Sequence, residues 1–275
     1  MIEIKNLSFG YKKQNPIYSD LNVDLKSGQI VGLLGKNGAG KTTLLKIILG
    51  LLQSNVKGSI SVMGFDPAKR NPDMLKEVFM ISEEIDLPSI KISTYVKSIA
   101  GYYERFDHQK LNNILEEFKL EKDFVLTKIS YGQKKKFLIA LALASGCRLL
   151  VLDEPTNGLD IPSKSLFRKI ISGALTDDQL VIISTHQVKD IENIIDHILI
   201  LNEGKVCLHQ SLHEISQRFS FYQVSDPSEM EYLYKETIPG GYKLITKCNG
   251  VPTDWDLEVL FNASIFTEEL MEEKG

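Results

Sequence analysis

The stretch GKNGAGKTT, Gly35 to Thr43, holds the densest chemistry in the chain. Gly35, Gly38 and Gly40 allow successive backbone N–H groups to turn inward as an anion nest, while Lys41 and the start of the next helix add positive potential. The spacing G-x-x-x-x-G-K-[ST] suits the β- and γ-phosphates of a nucleotide, with the Thr42 hydroxyl on Mg²⁺. Asn37, Ala39 and Thr43 complete the candidate loop.

A second constellation is LLVLDEP, Leu149 to Pro155, an apolar strand ending in two carboxylates. Asp153 at the strand tip is placed to hold Mg²⁺ through its waters, and Glu154 to polarise an attacking water as general base. A third is ISYGQKKK, Ile129 to Lys136. Ser130 is a good N-cap for the helix that follows. Three lysines in that first turn oppose the helix dipole, and an anion bound at the helix end would relieve the conflict.

With these motifs in this order, residues 1 to 217 resemble the ATP-binding subunit of an ATP-binding-cassette (ABC) transporter. The resemblance implies an α/β fold of the P-loop NTPase class, with a RecA-like core, an antiparallel β subdomain and an inserted helical subdomain at about 84 to 145. It also implies that two cassettes clamp ATP between them. Ser130, Gly132 and Gln133 keep the family's signature, usually LSGGQ, while Ile129 and Tyr131 depart from it. Asp160, in NGLD, matches the loop that works across the dimer, and His186, in STHQ, matches the residue that contacts the γ-phosphate and orients Glu154. Tyr11 matches the aromatic that stacks on adenine. Glu83 stands where the family usually places a glutamine that touches Mg²⁺ and the attacking water; a register shift of one residue would put Ser82 or Glu84 there.

The elements around these motifs fit that architecture. Short β-rich runs occur at 2–7, 22–25, 30–34 and 59–62, and helical periodicity at 92–118, 133–144 and 163–171. Apolar strands recur at 149–152, 180–184 and 197–201, each after a helical segment, so the core sheet is expected to be parallel. After Arg218 the composition turns aromatic and turn-rich. A boundary at 217/218 therefore separates the cassette from a C-terminal α+β extension, 218–275, in which Asp256 to Phe261 reads as an amphipathic helix. That helix either docks on the cassette or pairs with its copy.

Composition sets outer bounds. The chain has 275 residues, 43% hydrophobic and 25% charged, with a formal net charge of −4. No basic field invites nucleic acid. Cys147, Cys207 and Cys248 are widely spaced, which suits reduced thiols in a cytosolic protein. The longest charge-free apolar stretch, Phe137 to Ala144, falls well short of the roughly 20 residues a membrane helix needs. The sequence thus reads as an ATP- and Mg²⁺-dependent motor subunit, a homodimer in the cytoplasm on the inner face of the membrane. It would drive export through a separate permease that it touches with Glu84 to Tyr103. The alternative is a soluble cassette ATPase acting on nucleic acid or ribosomes. A third reading, a non-hydrolysing nucleotide sensor, would require loss of Glu154 or His186.

Overall fold

The computed structural model describes residues 1–11, 15–251 and 253–266. Two strands of alternating burial, β1 (Ile2–Phe9) and β2 (Tyr18–Leu25), form a hairpin. Next come β3 (Gln29–Leu34), α1 (Lys41–Ile48) and β4 (Lys57–Val62), and β4 pairs with β1 to complete an antiparallel sheet of order β2-β1-β4. A one-turn helix α2 (Pro72–Leu75) leads into β5 (Val78–Ile81).

The expected helical region at 92–118 is broken. α3 (Ile92–Ile99) ends in a 3₁₀ turn, and α4 (His108–Glu117) starts afresh because the Asp107 side chain caps the N–H groups of Gln109 and Lys110. α5 (Tyr131–Ala144) then delivers the chain to β6 (Leu149–Asp153), α6 (Ile161–Ala174), β7 (Leu180–Thr185), β8 (His197–Asn202) and β9 (Lys205–Ser211).

The central sheet has the order β5-β6-β7-β3-β8-β9 and is parallel except for β9, an edge hairpin strand absent from the sequence reading. Both its faces are buried, and the period of two divides its side chains between two cores. Leu150, Leu152, Val181 and Ile183 face one core with Phe137 of α5 and Phe167 of α6. Val31, Leu33, Leu149, Val151 and Ile182 face the other, with Leu44 and Ile48 of α1 and the small sheet. Parallel pairing brings the C-terminal ends of three strands together, setting Leu34 beside Thr185 and Asp153 beside Ser184.

The chain continues through α7 (Leu212–Arg218), β10 (Phe219–Val224), β11 (Tyr234–Ile238), β12 (Gly241–Lys247) and α8 (Leu257–Phe266). These three strands form an antiparallel sheet of order β10-β12-β11. Phe219, Ile245, Leu257 and Leu260 join the same core as α5 and α6. Lys189 pairs with Glu258 at 2.8 Å, and the Leu257 N–H reaches Glu192 at 3.4 Å. The C-terminal helix docks on the cassette. The expected boundary at 217/218 falls in the last turn of α7.

Candidate functional site

The phosphate loop leaves β3 and enters α1 through Gly35, Gly38 and Gly40, and a side chain has no room at Gly35 or Gly40. A Cβ on Gly35 would lie 2.7 Å from the Leu201 carbonyl oxygen, and Gly38 and Gly40 have φ of +84° and +103°. The buried Tyr18 hydroxyl donates to the Gly40 carbonyl at 2.5 Å and holds the bend. α1 starts at Gly40 with no side-chain cap and no acidic residue in its first turn. Its leading N–H groups therefore have no side-chain acceptor, the condition for binding an external anion. Lys41 lies at 2.7 Å from the Gly35 carbonyl and 3.3 Å from that of Lys36. Burial pushes its pKa down, while Glu154, Asp153 and Glu83 oppose that shift.

The carboxylates meet this loop because β6 is in register with β7. Asp153, almost fully buried, accepts a hydrogen bond from the Thr42 hydroxyl at 2.8 Å and another from Ser184. Glu154 has φ of +48°, and its N–H donates to the Ser184 carbonyl at 3.0 Å. Its Oε2 accepts from the Thr185 hydroxyl at 3.1 Å. Its Oε1 accepts from the His186 N–H at 3.1 Å and sits 2.8 Å from His186 Nδ1. With the carboxylate ionised, Nδ1 carries the hydrogen, which fixes the ring's tautomer and orientation.

These groups border one cavity of about 500 Å³. Lys41, Thr42 and Asn37 line it from the loop, and Asp153, Glu154 and His186 from the strand ends. Glu83 lines it as well. Ser82 and Glu84 do not, and the Ser82 hydroxyl donates instead to the Glu84 carbonyl at 2.6 Å. Tyr11 stands outside the lining, its hydroxyl 3.4 Å from Thr43 and its ring edge-on to Phe9, while Ile17 takes a place in the wall.

Ser130, Gly132, Gln133 and Asp160 are not brought into this cavity. Ser130 and Gln133 complete a capping box, each side chain satisfying the other's backbone N–H. Gly132 lies so near the loop after β6 that a Cβ would be 2.8 Å from the Gly158 carbonyl oxygen. Asp160 caps α6 through the Ser163 N–H at 2.9 Å, and those hydrogen bonds hold its carboxyl below the usual range.

Within the lysine-rich turn, one lysine is turned inward. An anion is not what accommodates Lys135: the side chain is fully buried and donates to the Glu154 carbonyl. Burial pushes its pKa down to about 8, against the pull of Glu154, Glu83 and Asp153. Lys136 lies over the Phe118 ring at 6.0 Å. The capping box takes the N–H groups of Ser130 and Gln133, and Lys135 is spent inside the chain. Sequence reasoning missed Lys135, Ser184 and Thr185. For Lys135 the available signal was its position four residues before the buried Ile139, on an inward face of α5.

The chain matches the family model for the ABC transporter over residues 18–157, just over half its length. It belongs to the ABC transporter family. It is 30% identical to the bacitracin transport ATP-binding protein BcrA of Bacillus licheniformis over 249 residues, 86% of this chain and 79% of that one. It is 32% identical to the molybdate import ATP-binding protein MolC of Haemophilus influenzae over 210 residues, 74% of this chain and 79% of that one. The solved structure of an ATP-binding subunit of an ABC transporter superposes with a TM-score of 0.71 at 27% identity, covering 78% of this chain and 91% of that one. The cassette is thus an ATP-binding and ATP-hydrolysing subunit with the P-loop ABC fold. Subunits of this kind dimerise and work with membrane permeases. Among the described residues, no helix is long and apolar enough to cross a membrane.

Proposed function

We propose that the cassette dimerises on Mg·ATP, hydrolyses it by in-line attack of water, and drives export through a separate membrane-spanning permease at the inner face of the cell membrane. The observation that carries this reading is the convergence of Lys41, Asp153, Glu154 and His186 on one cavity at the uncapped start of α1.

Lys41 and the first N–H groups of α1 take the β- and γ-phosphates, and Glu154 accepts a proton from the water, kept in place by Thr185 and His186. Magnesium fits the oxygens present. Thr42 and Asp153 are hard donors 2.8 Å apart, and the described residues hold no cluster of three or more His, Cys, Asp or Glu. That suits a cation held by few protein oxygens together with the phosphates, and Glu83 can reach it through water. Bound there, Mg²⁺ neutralises charge on the phosphates. Tyr11 offers a π-face to adenine from just outside the cavity. Ser130, Gly132, Gln133 and Asp160 stay out of their own chain's cavity and would serve the partner's ATP. Residues 1–217 form the motor in this reading, and 218–275 an accessory unit.

Coupling to transport is supported by the likeness to the bacitracin transport and molybdate import proteins. The test is specific ATPase activity against protein concentration. It should rise with concentration when two cassettes are needed and disappear with EDTA; a flat dependence would overturn the two-cassette site. The neighbouring reading frame should encode a protein with several membrane-spanning segments, and co-expression with it should carry this chain to the membrane fraction; this chain remaining soluble would overturn the permease reading.

A further inference from the structure

The first turn of α5 makes contacts within the chain that ATP binding across a dimer does not require. The Tyr131 hydroxyl donates to the Glu83 carbonyl at 2.5 Å. Its ring lies against the loop after β6, where a Cβ on Gly158 would be 2.7 Å from Tyr131 Cδ1. One turn further on, Lys135 stands 5.6 Å from the centroid of that ring and donates to the Glu154 carbonyl, which also accepts the Asn157 N–H at 3.3 Å. Glu154 is left-handed, a conformation that a non-glycine residue keeps only when its surroundings hold it. The holding groups are the Ser184 carbonyl on one side of the residue and Lys135 with Asn157 on the other.

From this geometry we infer that Tyr131 and Lys135 are positioning residues, forming a strut from the chain's own signature turn to Glu83 and to the general base Glu154. Resting on the two-cassette reading, the strut gives the turn two tasks. Its Ser130 end faces the partner's ATP, and its Tyr131–Lys135 face sets the base over its own. Engagement of one ATP thereby shifts the base at the other, and the two sites fire together.

The test uses the full chain and compares Lys135→Met, Lys135→Gln and Tyr131→Phe with wild type. Turnover, affinity for a fluorescent ATP analogue, and the Hill coefficient for ATP are measured. Misplacing a catalytic group by about 1 Å can cost about 100-fold. Lys135→Met should therefore lower kcat by about 10- to 100-fold with affinity within about twofold, and Lys135→Gln, which keeps a donor, should recover much of that loss. Tyr131→Phe, at a half-exposed site that folding tolerates, should bring the Hill coefficient close to 1 with kcat within about fivefold.

A Lys135→Gln variant as impaired as Lys135→Met, or a parallel loss of affinity in both, would show a packing role only and overturn the strut. An unchanged Hill coefficient in Tyr131→Phe would overturn the link between sites. A wild-type Hill coefficient of 1 with activity independent of protein concentration overturns the two-cassette reading and the link with it. The hold on Glu154 is still judged by the Lys135 variants.

Discussion

Two helices begin at the richest motifs in this chain, and they treat their free N–H groups differently. α1 opens at Gly40 with no cap, no acid and a buried lysine. α5 opens at Ser130 with a full capping box and three lysines nearby. Every helix start has four backbone donors without helical partners, and what satisfies them decides what the end can bind. α1 leaves them for a ligand, whereas at α5 the capping box takes those of Ser130 and Gln133, and the turn sends Tyr131 and Lys135 towards neighbouring loops. A helix end is thus read for an anion site by which of its donors are already taken: none by a side chain at α1, two at α5.

The strongest way to break this contrast is at α1. Lys41→Ala should weaken ATP binding by at least about 100-fold, or about 2.7 kcal/mol, measured by titration with a fluorescent analogue. Unchanged affinity would show that the uncapped end is not the phosphate site. Glu154, between the two helix starts, comes next. Glu154→Gln should slow hydrolysis by about 100-fold or more while keeping Mg·ATP binding, because a general base contributes about 10²–10⁴-fold. The ATP-bound dimer should then accumulate on size-exclusion chromatography, and undiminished turnover would remove Glu154 from the chemistry.

Glu83 sharpens the comparison further, since it lines the cavity at α1 while its carbonyl is held from α5. Attraction to a cation and repulsion from the γ-phosphate nearly cancel at water-bridged range. Glu83→Gln should thus change the basal rate of the isolated cassette by less than about tenfold, about 1.4 kcal/mol of barrier. A steady-state ATPase assay decides it. The smallest effect belongs to the capped end. Ser130→Ala should cost about 1 kcal/mol of stability and lower the melting temperature by about 2–4 °C, seen by circular dichroism. No shift would mean that the capping box does not hold the α5 donors in solution.

Much of this was legible in the residues. The glycine loop, the strand ending in Asp153 and Glu154, and the histidine after β7 are local patterns, and the apolar strands between them show by length and composition which segments build a buried sheet. Edges were harder. β9 is half-polar and pairs only with its neighbour across a hairpin, so its assignment depends on β8 being in place. The break between α3 and α4 turned on Asp107 acting as a cap, which helical periodicity alone does not reveal.

The functions of α5 show where local information ends. Composition placed three lysines in one turn, and dipole arguments alone asked for an anion. Which lysine was buried, and against what, depended on α5 packing over the sheet so that Lys135 came beneath the loop after β6. Glu154 and Lys135 lie 19 residues apart, and Tyr131 and Glu83 lie 48 apart. By itself the sequence determined the donors, the carboxylates and their order along the chain, because these depend on residue type and short spacing. Tertiary structure alone decided which lysine reached the base and which loops Tyr131 touches, because burial and these hydrogen-bond partners arise from the packing of segments that are distant in sequence.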